Sequence, residues 1–182
     1  MPVTQPQARP PALPQASPQA WPQTRARGRI GAIALLTAAL VAGCAAPPPP
    51  PPPPTIVQLK IDVSADANPT ADGKGAPVIV RVYQLASPAG FEKAEFFRLL
   101  NNDQAILGTD LLKKDEYLLA PGTKKEDTIT LKDSVKALGF FGAFREFQKV
   151  TWRAVVVPPE HKTTPVTVKI DSSGLTAAAQ AP

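Results

Sequence analysis

Few residues in this chain have side chains suited to chemistry at neutral pH. Cys44 is the only cysteine and His161 the only histidine among 182 residues. A catalytic or metal-bound histidine needs partners that converge on it. His161 lies in Pro158-Pro159-Glu160-His161-Lys162, a polar turn between two strand-like runs, and is expected as a solvated turn residue. The paired carboxylates Asp115-Glu116 and Glu126-Asp127 have the residue types for acid and base work, but both pairs stand beside lysines in charged turns. No glycine-rich phosphate loop occurs, and no cluster of histidines and carboxylates has metal-ligand spacing. No catalytic residue and no metal ligand is assigned, so an enzyme is not expected. A single cysteine also means no internal disulfide, so the folded part must be stabilised by its core.

The setting of Cys44 is more informative than its thiol. Arg25, Arg27 and Arg29 lead into the apolar run from Ile30 to Ala42, and Gly43 and Cys44 close it. This is the order of a secretory signal peptide. A run of 13 residues inserts but falls short of the roughly 20 a permanent span needs. The closing residues Val41-Ala42-Gly43-Cys44 resemble the bacterial lipobox. That resemblance implies diacylglycerol on the Cys44 sulfur, cleavage before Cys44, and an N-acyl chain on the new terminus, with no other cofactor. More than one chain gives stable attachment, at about 0.8 kcal/mol per buried methylene. Ala45 follows where an aspartate would signal retention, which favours the outer membrane with the rest of the chain in the periplasm. The alternative is a short transmembrane anchor, since extension through Ala46 gives 17 residues. Residues 1–43 are thus expected to be leader and signal peptide.

Stepping along the chain, most of the 23 prolines fall in the first 54 residues, and Pro47 to Pro54 is an unbroken run. Fixed φ and missing donors make such a run polyproline II, about 3.1 Å per residue and so roughly 25 Å long. Placed directly behind the lipid site, residues 44–54 read as a semi-rigid tether; the alternative is a docking site for a proline-binding domain. Four arginines precede the apolar run, so from Thr55 onward 16 Lys or Arg face 15 Asp or Glu. The folded part has no excess positive field, and nucleic acid is not expected as a partner.

Residues 55–175 suffice for one domain. Thr55 to Val63 alternates, with Val57, Leu59, Ile61 and Val63 on one face, which predicts a half-buried strand. Turn formers fill Ser64 to Ala76, and Pro77 to Leu85 is a second strand. Phe91, Ala94, Phe97 and Leu100 recur at intervals of three, which predicts a short amphipathic helix whose aromatics cover a sheet or, alternatively, form a binding surface. Asp103 to Leu112 can add a helical turn or two. Further strands are predicted at 117–120, 127–131, 138–145, 151–157 and 165–170, and 176–182 is expected to be a disordered tail. Seven or so short strands with a minor helical insert predict a mainly all-β fold, a two-layer antiparallel β-sandwich. Trp152-Arg153 and Arg81-Val82-Tyr83 carry residue types enriched at binding hot spots, and serve equally as core packing and edge charge.

The order of these features resembles the outer-membrane lipoprotein TssJ (SciN-like) family of the type VI secretion system. The resemblance runs through the whole domain and is carried by Asn68-Pro69, Pro77 to Leu85, Phe91 with Ala94-Glu95-Phe96-Phe97, Pro121-Gly122, Leu138-Gly139, Ala143-Phe144-Arg145-Glu146 and Trp152-Arg153. It implies a transthyretin-like β-sandwich that binds the periplasmic carboxy-terminal domain of the inner-membrane component TssM, within a TssJ-TssL-TssM membrane complex tied to the outer membrane. It also implies that the loop between the first two strands contributes to that contact, here with Ser64, Asp66, Asn68, Pro69, Asp72 and Gly73 as candidates. Two rival functions are a periplasmic carrier or chaperone for a hydrophobic ligand, which requires an apolar cavity, and a transthyretin-fold hydrolase, whose histidines this chain lacks.

Overall fold

The computed structural model describes residues 49–180. The leader, the signal segment, Cys44 and the first two prolines of the tether lie outside the described residues.

Strand β1 (Thr55–Val63) buries alternate residues, as its pattern predicts. It pairs antiparallel with β4 (Lys124–Leu131) and parallel with β7 (Thr163–Asp171), which in turn pairs antiparallel with β8 (Gly174–Ala179). The second sheet has the order β3-β2-β5-β6, all antiparallel, from β2 (Val78–Leu85), β3 (Leu111–Leu119), β5 (Ala137–Ala143) and β6 (Arg153–Val156). The two sheets enclose one core in which Val57, Leu59 and Ile61 of β1 meet Val80 and Val82 of β2 and Phe140 of β5. The β-sandwich is thus as predicted, with one parallel pair in an otherwise antiparallel arrangement.

The second sheet is apolar on its outer face as well. Strand β5, Ala-Leu-Gly-Phe-Phe-Gly-Ala, shows no alternation of polarity, and all but its last residue are buried. A strand buried on both faces needs cover on both. The cover comes from helices α1 (Ala89–Lys93) and α2 (Phe96–Leu107), inserted between β2 and β3. Phe91, Phe96, Leu99 and Leu107 pack on Tyr83, Leu85, Ala137 and Phe141 to form a second core. Gly139 permits this approach, since a Cβ there would lie 3.1 Å from both the Phe91 ring and Leu85.

Several boundaries differ from expectation, most by one or two residues and the following by more. Helix α2 ends at Leu107, and β3 already begins at Leu111, so the region 103–112 is only partly helical. Strands β3 and β4 are longer than predicted because mutual pairing within the sheets extends polar, solvent-facing sequence into ladders. The expected disordered tail is corrected at 176–179: these residues complete β8, where Leu175 is buried and the ladder with β7 satisfies a backbone that Ala-rich sequence alone would not hold extended.

The strand directions sort the connections into two ends. At one end lie the proline tether, the β4–β5 connection and the β6–β7 connection, joined by backbone bonds such as Ile56 N–H to Lys162 O. At the other lie the loop 64–77, the β3–β4 turn and the β7–β8 turn, joined by Val63 N–H to Thr123 O and Ser64 N–H to Ile170 O. Nine residues of β1 separate the ends by about 30 Å. Among the described residues, both cores and both sheets are built from residues 55–179.

Candidate partner-docking site

The loop following β1 is built around Asn68. Its backbone sits at φ +51°, a region Asn tolerates, and its side chain is only 4% exposed. Asn68 Nδ2 donates to Pro77 O at 2.8 Å, and Asn68 Oδ1 accepts from Arg145 N–H at 2.9 Å. One side chain therefore ties the two arms of the loop together and fastens them to the segment after β5. Beyond it Thr70 N–H bonds Lys74 O and Gly73 N–H bonds Thr70 O, closing a tight turn with Gly73 at φ +74°. Asp66 accepts from the hydroxyls of Ser64 and Ser172, which hold its carboxyl below the ordinary carboxylate range.

The candidate residues thus separate by role. Asp66, Asp72 and Gly73 are exposed, Ser64 and Pro69 are half-buried, and Asn68 is interior. The first five can meet a partner; Asn68 shapes the loop that does so. Pro121-Gly122 and Ser172-Ser173 lie beside this loop, since Gly122 N–H bonds Ser64 O and Ser172 Oγ bonds Asp66. That these turns extend the same surface has no local signal, since Gly122 and Ser172 are about 60 and 106 residues along the chain from the partners they bond.

The other residues singled out by type are committed within the fold. Tyr83 is fully buried. Arg81 Nε donates to Glu116 at 2.6 Å, while its Nη1 reaches the carbonyls of Leu99 and Leu100 at 3.0 and 2.9 Å. Arg153 donates to Phe91 O and Ala94 O at 3.1 and 2.6 Å and lies 4.6 Å from the centre of the Trp152 ring. Trp152 is partly buried and touches both cores, edge-on to Phe96 and Phe141. These side chains dock the helices onto the sheet. Among the helix aromatics Phe97 is the exposed one, at 56%, edge-on to Phe147.

The paired carboxylates lie in strands β3 and β4 rather than in turns, because ladder pairing extends those strands through the charged sequence, and they do not converge. Asp115 pairs with Lys113, Glu116 with Arg81, and Asp127 accepts from Tyr117, whose phenol burial and that bond push up to about 12. His161, half-buried, is drawn instead to the tether: its ring Nδ1 lies 2.9 Å from Pro53 O, and its backbone N–H donates to Thr55 Oγ1 at 2.8 Å. A groove of about 890 Å³ on the outer face of the first sheet is lined by Gln58, Lys60, Asp62, Glu126 and Thr128, side chains unsuited to a hydrophobic ligand. Among the described residues no group of three His, Cys, Asp or Glu could hold a metal, and no helix is long and apolar enough to cross a membrane.

A two-sheet sandwich with a helical cover, entered at one end from a proline run and exposing a loop cluster at the other, defines a small β-sandwich domain of the kind found in a known lipoprotein family. Residues 55–173 match the family described as type VI secretion lipoprotein, VasD, EvfM, TssJ, and the chain belongs to that family. Its structure is similar to the crystal structure of the T6SS lipoprotein TssJ1 from Pseudomonas aeruginosa, with 33% identity and a TM-score of 0.69 over 71% of this chain and 99% of that one. It is also similar to Serratia marcescens Lip, a membrane-bound component of the type VI secretion system, with 26% identity and a TM-score of 0.65 over 71% and 99% of the two chains. A third similarity, at 27% identity and a TM-score of 0.55 over 68% and 97%, is to a chain in the structure of the T6SS protein TssM C-terminal domain from EAEC. No curated protein matches.

Proposed function

We propose that this type VI secretion lipoprotein anchors the trans-envelope complex to the outer membrane by binding the periplasmic carboxy-terminal domain of TssM. Lipid on Cys44 supplies the anchor, the proline run holds the domain off the bilayer, and the task is mechanical and nonenzymatic, without a cofactor. The observation that carries this reading is the placement of the loop 64–77 at the end of β1 opposite the tether. A domain held at Thr55 offers Asp66, Pro69, Asp72 and Gly73 away from the membrane, toward a partner rising from the inner membrane. The similarity to a chain in the TssM C-terminal domain structure supports the choice of partner.

The test is calorimetric titration of residues 49–182 against the cognate TssM carboxy-terminal domain. Saturable binding at micromolar affinity or tighter, about −8 kcal/mol or better, is expected. Absence of heat and of complex with both domains folded would remove TssM as the partner.

A further inference from the structure

The one parallel strand pair lies where tension would pass through the molecule. Strand β1 is an interior strand, flanked by β4 and β7, and the tether leads directly into its first residue. Any pull on the chain at Cys44 is delivered along the covalent backbone to Thr55, at the amino end of β1. The opposing grip, on the reading proposed above, falls on the loop 64–77, and load reaches the carboxy end of β7 where a partner on that loop also holds the adjoining β7–β8 turn, whose Ser172 Oγ donates to Asp66.

From these directions we infer that the β1–β7 ladder is a mechanical clamp, which resists tension between the membrane anchor and a partner that holds the β7–β8 turn. The inference rests on the proposed anchoring role for its biological use, but the clamp itself is a property of the fold. Two parallel neighbours pulled at the amino end of one and the carboxy end of the other slide past each other. Ladder bonds lie across the strands, so sliding loads all of them together, from Ile56 opposite Thr163 to Val63 opposite Ile170. The β1–β4 ladder, from Thr55 opposite Leu131 to Asp62 opposite Lys124, is loaded in the same sense when the β3–β4 turn is held. Had β7 run the other way, its carboxy end would lie beside the tether, and the same pull would peel the pair apart one bond at a time.

Two details fit this use. Pro165 sits within β7, a central strand where a missing N–H would ordinarily break a ladder. Its carbonyl accepts from Gln180 N–H, so the edge that lacks the donor faces the end of β8 and leaves the ladder to β1 whole. His161 bonds Pro53 O from the β6–β7 connection, and Pro52 lines one cleft together with Val135, Val157 and Pro158. This contact holds the last prolines against the domain.

The test is single-molecule stretching of residues 44–182, with Cys44 as one handle. In Ser172→Cys the second handle is in the exposed β7–β8 turn and the pull shears β1 against β7. In Lys132→Cys it is at the exposed start of the β4–β5 connection, beside Thr55, and the pull peels β1 from β4. Unchanged thermal midpoints establish that both variants are folded, and Ser173→Cys replaces the first if it is not. At equal loading rate the unfolding force between 44 and 172 is expected to exceed that between 44 and 132 severalfold. Equal forces, or the reverse order, would overturn the clamp. No partner takes part, so a failed titration against TssM would leave this outcome as it stands and remove only the proposed partner.

Discussion

Tyr83 Oη donates a 3.0 Å hydrogen bond to Asp103 Oδ2, joining the middle of β2 to helix α2 just past the break at Asn102. The same oxygen accepts from Lys114 Nζ at 2.8 Å and Arg81 Nη1 at 3.3 Å, and the Asp103 side chain is 9% exposed. Three donors from two strands thus converge on one carboxylate of the helix. Burial alone would raise the Asp103 carboxyl, but Lys114, Tyr83 and Arg81 outweigh it and hold the group below its usual range. Burial likewise drives the Tyr83 phenol well above its ordinary value, so it stays a donor.

Asp103→Asn should lower stability by about 2 kcal/mol, since it removes the charge that two cations and a phenol share. The native carboxyl is depressed, so its contribution is complete above the ordinary carboxylate value of about 4 and is lost as pH falls through the lower native value. Urea unfolding across pH is expected to show the two proteins converging in acid and apart at neutral pH. Tyr83→Phe should cost about 1 kcal/mol, with a weaker acid dependence of the same sign, since Lys114 and Arg81 still hold the carboxyl down.

Gly174→Ala should be among the most damaging small substitutions. Gly174 has φ +122°, and a Cβ there would fall 2.1 Å from Thr151 O, in backbone that cannot yield locally. A loss of about 3 kcal/mol or more is expected. In a thermal melt this is a fall of about 10 °C or more.

Asn68→Ala and Asp72→Ala should separate loop shape from loop contact. The first loses bonds to Pro77 O and Arg145 N–H and should destabilise by about 2 kcal/mol while weakening TssM binding. The second removes an exposed side chain, so stability should hold within about 0.5 kcal/mol. Calorimetric titration is expected to show weaker TssM binding for it as well; unaltered affinity would take Asp72 out of the contact.

Cys44→Ser should leave the melting temperature unchanged, because the folded unit begins beyond it. Membrane fractionation of cells is expected to find this variant in the soluble fraction, and secretion is expected to stop. Normal secretion by a soluble variant would argue against the anchoring role.

Much of the fold was legible because its signals are local. The alternation in β1 and in Val166, Val168 and Ile170 of β7 depends only on which residues share a face, and it found both strands. The spacing of Phe91, Ala94, Phe97 and Leu100 pointed to a helical insert, but not to its form: the chain is extended at Ala94 and Glu95 and makes two helices, the second broken at Asn102, with Phe96 and Leu99 buried and Phe97 exposed. The unbroken apolar run of β5 held the sign of a second core, since a strand without alternation is buried on both sides. The Asp103 cluster left no such sign, because its donors are 11 to 22 residues away on separate elements.

By itself the sequence determined the stiff proline run, most of the strands and the residues of the loop 64–77, for each follows from chain stiffness, side-chain alternation or turn preference within a few residues. Only the tertiary structure decided that Asn68 is interior while Asp72 is exposed, that 176–179 joins the sheet, and that β7 runs parallel to β1. Those outcomes depend on which distant segments meet. Alternation fixes the face a strand buries and is identical for either direction, so only the closure of the whole chain could set the direction from which the tether pulls.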